Sequence, residues 1–189
     1  MVDFKIYIKE LFIQALDKLY QNDYSLISRK CCERSIVFRL GIYLENIFSK
    51  YSYNVDCEYN KKGLVPKELI GKRFNYPDII IHKREDNQNN ILIVEVKTSN
   101  SGQPKYFEKD VYKLRGFTSE KDYLYKLGVH LYIDINFCRV VWYENRKIQE
   151  YCKYNVVNNG NSHFLQLDQT KSYKKCLFDS WYIKHKQNM

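Results

Sequence analysis

Two short apolar runs set what this chain can fold into. They are Tyr76-Pro77-Asp78-Ile79-Ile80-Ile81-His82 and Ile91-Leu92-Ile93-Val94-Glu95-Val96-Lys97, each too brief for a helix and rich in β-branched residues. Residues 83–90 between them carry Asp86, Asn87, Asn89 and Asn90, which reads as a turn and predicts a hairpin of two buried strands. Pro77 suits a first strand position, where no ladder donor is needed. Glu95 and Lys97 break the apolar pattern. Side chains at i and i+2 of a strand share a face, so a carboxylate and an ammonium leave the sheet together, next to a core. Asp78 opens the neighbouring strand. Buried charges of this kind cost several kcal/mol each unless paired or bound to metal. By themselves these residues fit a simple ion pair between Glu95 and Lys97 as well as they fit a built site.

Pro77-Asp78, a gap of sixteen residues and then Glu95-Val96-Lys97 resembles the motif of the PD-(D/E)XK nuclease superfamily, which has the restriction-endonuclease-like fold. The resemblance covers about residues 28–145, because the flanking elements described below fall in a matching order. It implies an α/β protein with an αβββαβ core, a central mixed sheet flanked by helices. An extra N-terminal helix and a C-terminal extension (about 146–189) complete a single domain over residues 1–189.

The flanking elements are read from hydrophobic period. Phe4, Ile8, Leu11, Phe12, Ala15, Leu16 and Leu19 predict an amphipathic helix over residues 3 to about 20, packed outside the core and broken at Asn22-Asp23. A second helix is expected from Ser28, as N-cap, to about Lys50, burying Ile36, Val37, Leu40, Leu44 and Ile47. At about 100° per residue, Glu33 falls within that stripe and Glu45 falls off it, toward solvent. Tyr53, Val55, Cys57 and Tyr59 alternate with polar residues as a half-exposed strand, with Glu58 solvated. Residues 60–75 form a basic loop. A helix follows over about 106–118, then two strands at 127–135 and 139–143. Residues 151–157 and 163–167 are strand-like, and residues 171–186 are a basic, aromatic segment.

Superfamily members place a Glu on the helix before the hairpin, and Glu33 matches that role by position and face. A salt bridge to Arg29, Lys30 or Arg34 is its alternative. Gathered at one end of a sheet, Glu33, Asp78 and Glu95 repel, by about 3 kcal/mol for a pair about 5 Å apart at an effective dielectric of about 20. A divalent cation relieves this, and oxygen ligands without imidazole or thiol select Mg²⁺ or Mn²⁺ over Zn²⁺. The resemblance adds the Val96 carbonyl to the metal ligands Asp78, Glu95 and Glu33. It makes Lys97 the group that orients or deprotonates the attacking water and stabilises the phosphorane, and it implies 5′-phosphate and 3′-hydroxyl products. The expected activity is metal-dependent phosphodiester hydrolysis, on DNA in preference to RNA. The competing expectations are a nucleic-acid-binding module that keeps the fold without cutting, and a structural or protein-interaction domain. Lys72, Arg73 and Lys113 are the expected nucleic-acid contacts, with plain surface charge as the alternative; Asp110-x-x-Lys113-Leu114 is similar to a pair that follows the active strand in small members of the superfamily.

Charge and composition fit such a partner. Lys and Arg number 31 against 22 Asp and Glu, a net +9 that suits a polyanion. No apolar run reaches eighteen residues and the start lacks a secretory pattern, so a cytoplasmic protein without membrane contact is expected. The six cysteines form no C-x-x-C pair and the four histidines are scattered, so they read as reduced packing residues and not as a zinc site. No separate recognition domain is visible, which favours a structure-selective or nonspecific nuclease. Holliday-junction resolvases share the fold and work as dimers, so a homodimer is among the expected partners.

Overall fold

The computed structural model describes residues 3–169, except 63–64, 67, 70–71, 74–75, 85, 100–103 and 120–122. Helix α1 (Phe4–Ser28) starts at Asp3, whose carboxylate accepts the Lys5 N–H. Phe12, Ala15, Leu16, Leu19 and Tyr20 on this helix are fully buried while Glu10, Gln14 and Lys18 are exposed, so α1 packs one apolar stripe against the core as a flanking layer. The expected break at Asn22-Asp23 is a kink. Asp23 takes φ −125°, ψ 19°, and the helix resumes to Ser28. Its carboxylate is held by Arg39 Nε at 2.9 Å and by the Tyr43 hydroxyl, and these ties keep the two segments in line.

The second helix does not start at Ser28. Lys30 adopts a left-handed φ of 54°, and Cys31 N–H closes back onto Leu26 C=O at 2.9 Å, a helix-ending geometry. Helix α2 (Glu33–Phe48) follows, with Cys32 as an N-cap that makes no side-chain capping bond. Glu45, expected in solvent, is half-buried and accepts the Val55 N–H at 2.8 Å, joining the helix to the first strand.

The strands are β1 (Asn54–Cys57), then two short ladders of β2 (Lys61–Lys62) with β3 (Val65–Pro66) and β4 (Glu68–Leu69) with β5 (Lys72–Arg73). The predicted hairpin follows as β6 (Ile79–His82) and β7 (Leu92–Thr98), with Ile79 opposite Val94 and Ile81 opposite Leu92. Helix α3 (Pro104–Phe117) leads to β8 (Leu127–Ile133), β9 (Phe137–Glu144), β10 (Lys147–Asn158) and β11 (His163–Leu167). The main sheet has seven strands in the order β1-β6-β7-β8-β9-β10-β11. All its pairs are antiparallel except β7 with β8, the pair that α3 connects. The protein is therefore α/β with a mixed sheet flanked by three helices. Strands β10 and β11 extend that same sheet, and Leu165 N–H returns to Asp17 on α1 at 2.7 Å. Residues 171–186 lie outside the described residues.

Strand alternation sorts the core into two clusters. Ile79, Ile81, Leu92, Val94, Val96, Val129 and Leu131 meet α1 and α2 on one face. Ile80, Ile93, Val141 and Tyr143 meet Val111, Leu114 and Phe117 of α3 on the other. By the same parity Asp78, Glu95 and Lys97 belong to the α3 face. The five described cysteines are free, and among the described residues no helix is long and apolar enough to cross a membrane.

Candidate active site

Three strands and two helices converge on one cluster of charges. Asp78 precedes β6, Glu95 and Lys97 lie on β7, and His130 on β8 pairs in register with Glu95. Helix α3 lies over them and contributes Asp110 and Lys113, one turn apart. Glu33 arrives from the opposite layer as the first residue of α2, where the helix N-terminus favours negative charge. Asp78 Oδ2 accepts the Val96 N–H at 2.7 Å, and the Val96 carbonyl accepts from Lys97 Nζ at 2.9 Å. Four of the residues singled out from the sequence (Glu33, Asp78, Glu95 and Lys97) thus share one neighbourhood, with the Val96 carbonyl facing it.

The ion pairs differ from the sequence expectation. Glu95 does not pair with Lys97; its Oε2 takes Lys113 Nζ at 2.5 Å, and that ammonium also donates to Tyr76 C=O at 3.1 Å. Lys97 Nζ reaches Asp110 Oδ2 at 3.1 Å and Glu33 Oε1 at 3.4 Å, bridging the two helix layers. Glu33 meets Lys97, and Arg34, one of its expected partners, pairs instead with Glu58 at the surface. Lys113 is only 7% exposed, so it is an interior charge and not a surface one. The side chains of Lys72 and Arg73 lie outside what the structure describes.

The electrostatics are unbalanced. Four carboxyl groups (Glu33, Asp78, Glu95, Asp110) face two ammonium groups (Lys97, Lys113). Burial pushes Asp78 up to about 6, with Glu33 adding to the rise against the opposing pull of the Val96 N–H and both lysines. Glu95 is driven well above the usual carboxylate range by complete burial, with Asp78 and Asp110 adding to it, and Asp110 is raised by burial as well. Burial works against the charge on Lys97, but Asp110, Glu33 and Asp78 outweigh it and hold this ammonium above its ordinary value. His130 is pushed down to about 3 by burial, then by Lys97 and Arg139, so it is a neutral ring.

Two buried oxygens of the expected metal ligands, Glu33 Oε2 and Glu95 Oε1, have no hydrogen-bond partner; Asp110 Oδ2 has none either and faces Lys97 Nζ at 3.1 Å. Such orphans are rare in folded proteins. Among the described residues no three His, Cys, Asp or Glu side chains stand grouped closely enough to hold a metal ion in this arrangement, in which lysines stand between the acids. The donor set itself suits a hard divalent ion: the Asp78 carboxylate, the Val96 carbonyl and the two unpartnered oxygens, all oxygen ligands.

Asp110 and His130 did not emerge from the sequence as site residues. Asp110 and Lys113 share the helical stripe of Leu114 and Phe117, and charges inside an apolar stripe are the anomaly that singled out Glu95. His130 carries no such signal, because an isolated His in a strand is ordinary core material.

A pH test follows from Asp78. A carboxyl raised from 3.8 to about 6 contributes stability below 3.8 that is lost as pH rises through about 6. The gap corresponds to about 3 kcal/mol at most. Asp78→Asn is therefore expected to raise the melting temperature of metal-free protein at pH 7.5 and to leave it unchanged near pH 4. His130 has the opposite slope, so the measured quantity is the difference between variant and wild type at each pH, in which His130 cancels. A difference that does not vary with pH removes the assigned shift.

Compared with known proteins, the chain matches no protein-family model and no curated protein, so the geometry of this cluster carries the functional argument.

Proposed function

We propose that this protein is a metal-dependent nuclease of the PD-(D/E)XK type, hydrolysing phosphodiester bonds in nucleic acid, DNA in preference to RNA. The observation that supports it most is the gathering of Glu33, Asp78 and Glu95 with Lys97, Asp110 and Lys113 in one largely buried cluster whose acids outnumber its cations. The order α2, β1, β6, β7, α3, β8, with the short ladders β2–β5 set aside, supports this reading, since the superfamily core runs αβββαβ. A net charge of +9 favours the substrate.

Asp78 and Glu95 would hold Mg²⁺ or Mn²⁺ with the Val96 carbonyl, and Glu33 would join directly or through water. The ion supplies Lewis-acid polarisation of the phosphate and a lowered pKa for the nucleophilic water. Lys97 is held protonated by its three acidic neighbours, so it donates to a phosphoryl oxygen and positions the water. Asp110 fixes the Lys97 ammonium from the α3 side, and Lys113 balances Glu95.

A second reading has its own observation. Lys97 and Lys113 already pair with an oxygen of Glu33, of Glu95 and of Asp110 without a metal, which is the state expected of a nucleic-acid-binding module that does not cut. Titration of Mg²⁺ and of Mn²⁺ into the purified protein separates the two. The nuclease should gain thermal stability with each ion, since a ligand that binds only the folded form stabilises it, and should cleave labelled DNA. Nucleic-acid binding with neither effect leaves the second reading in place.

A further inference from the structure

Past the acids, the α3 face of the sheet continues as a cross-strand row. Register sets Lys97 on β7 beside Tyr132 on β8, Tyr132 beside Arg139 on β9, and Arg139 beside Lys153 on β10. With strands about 4.8 Å apart, the row begins at the candidate active site and runs roughly 15 Å from it. Phe137 lies two residues before Arg139, on the same face. Its ring is 6.0 Å from that of Tyr132, with 25° between the planes. The Arg139 guanidinium is 4.5 Å from the Tyr132 ring centre and 5.2 Å from that of Phe137, and Lys153 Nζ is 5.4 Å from the latter. Both rings are only half-buried. Lys153 has a carboxylate partner in Asp168 at 3.3 Å. Arg139 has none among the described residues, and its buried Nε makes no hydrogen bond.

We propose that this row is a stacking platform for unpaired nucleotides next to the scissile phosphate. Tyr132 and Phe137 receive base faces, and Arg139 receives phosphate oxygens. The position of the bound strand rests on the nuclease reading given above; the chemistry of the row does not. In a duplex every base face is covered by its neighbours, so rings on a flat sheet surface engage only unpaired bases. An acidic protein would use the cations and leave the rings without a role. Nucleotides use both.

The test is fluorescence anisotropy in EDTA, where no cutting occurs, with a labelled single-stranded DNA of roughly 20 nucleotides and the matching duplex. Wild type is expected to bind the single strand about 10-fold more tightly than the duplex. Tyr132→Ala and Phe137→Ala each lower single-strand affinity by about 10-fold and leave duplex affinity unchanged, whereas Tyr132→Phe binds as wild type. Arg139→Met, which removes no ring, weakens single-strand binding and reduces its salt dependence by about one counterion, so the result does not hang on the alanine variants folding. Equal affinity for both forms, or single-strand binding untouched by Tyr132→Ala and Arg139→Met, overturns the platform. Protein that binds single strands through Tyr132 yet never cuts with Mg²⁺ or Mn²⁺ supports the platform and removes the nuclease reading. Protein that cuts single strand and duplex alike, with Tyr132→Ala indistinguishable from wild type, does the reverse.

Discussion

Glu95→Gln is expected to lower Mg²⁺-dependent DNA cleavage by about 10³-fold or more while the protein stays folded. One carboxylate charge leaves the proposed metal ligands, and loss of several kcal/mol of transition-state stabilisation corresponds to a factor of this size. The fold should hold because glutamine keeps the side chain's volume and its acceptor for Lys113, whose charge still faces Asp110 at 3.8 Å. The measurement is a cleavage time course beside melting curves with and without Mn²⁺, in which the variant loses the ion-dependent gain in melting temperature. Asp78→Ala and Lys97→Ala are expected to lose cutting similarly, the first through the ion and the second through the phosphate. Full activity in Glu95→Gln would reject the mechanism.

The largest effect on stability is expected from Lys113→Met. In metal-free protein this leaves Glu95 buried with one unpaired oxygen facing an apolar side chain and the other already without a partner. Breaking one side of a buried ion pair costs about 3–5 kcal/mol. For a chain of this size that is a fall in melting temperature on the order of 10 °C. If Asp78 and Glu95 hold a divalent ion, Mn²⁺ should restore much of the loss, since it supplies the positive charge that the lysine withdrew. The comparison is therefore made in EDTA and in Mn²⁺. A variant that melts equally low in both makes the Glu95–Lys113 pair purely structural and favours the module that binds without cutting.

Much of the fold was legible because its signals are local. Ile79 to Ile81 and Leu92 to Val94 read as strands from β-branched runs, and the turn residues between them gave the hairpin that the structure pairs. The face of α2 that carries Ile36, Leu40 and Leu44 followed from helical period. The misreadings have a common origin. Asp23 looks like a helix breaker, but Arg39 and Tyr43 from the next helix hold it. Ser28 looks like an N-cap, but the left-handed turn at Lys30 ends α1 first and α2 starts later. Glu45 looks solvated, but Val55 supplies an N–H for it. In each case a bond beyond the nearest neighbours overrode the local preference, from another element for Asp23 and Glu45 and from Cys31 N–H back to Leu26 C=O at the end of α1.

The sequence by itself determined that the runs around Ile79–Ile81 and Leu92–Val94 are strands, and that Glu95 and Lys97 leave one face of the sheet, since alternation along a strand needs no knowledge of what packs above it. Only the tertiary structure decided which cation meets which acid. Lys113 takes Glu95, while Lys97 takes Glu33 and Asp110, because α3 crosses the strand end and lowers its own charged pair into the cluster. Pairings of that kind depend on side-chain reach across separate elements, and no period or spacing in the chain encodes them.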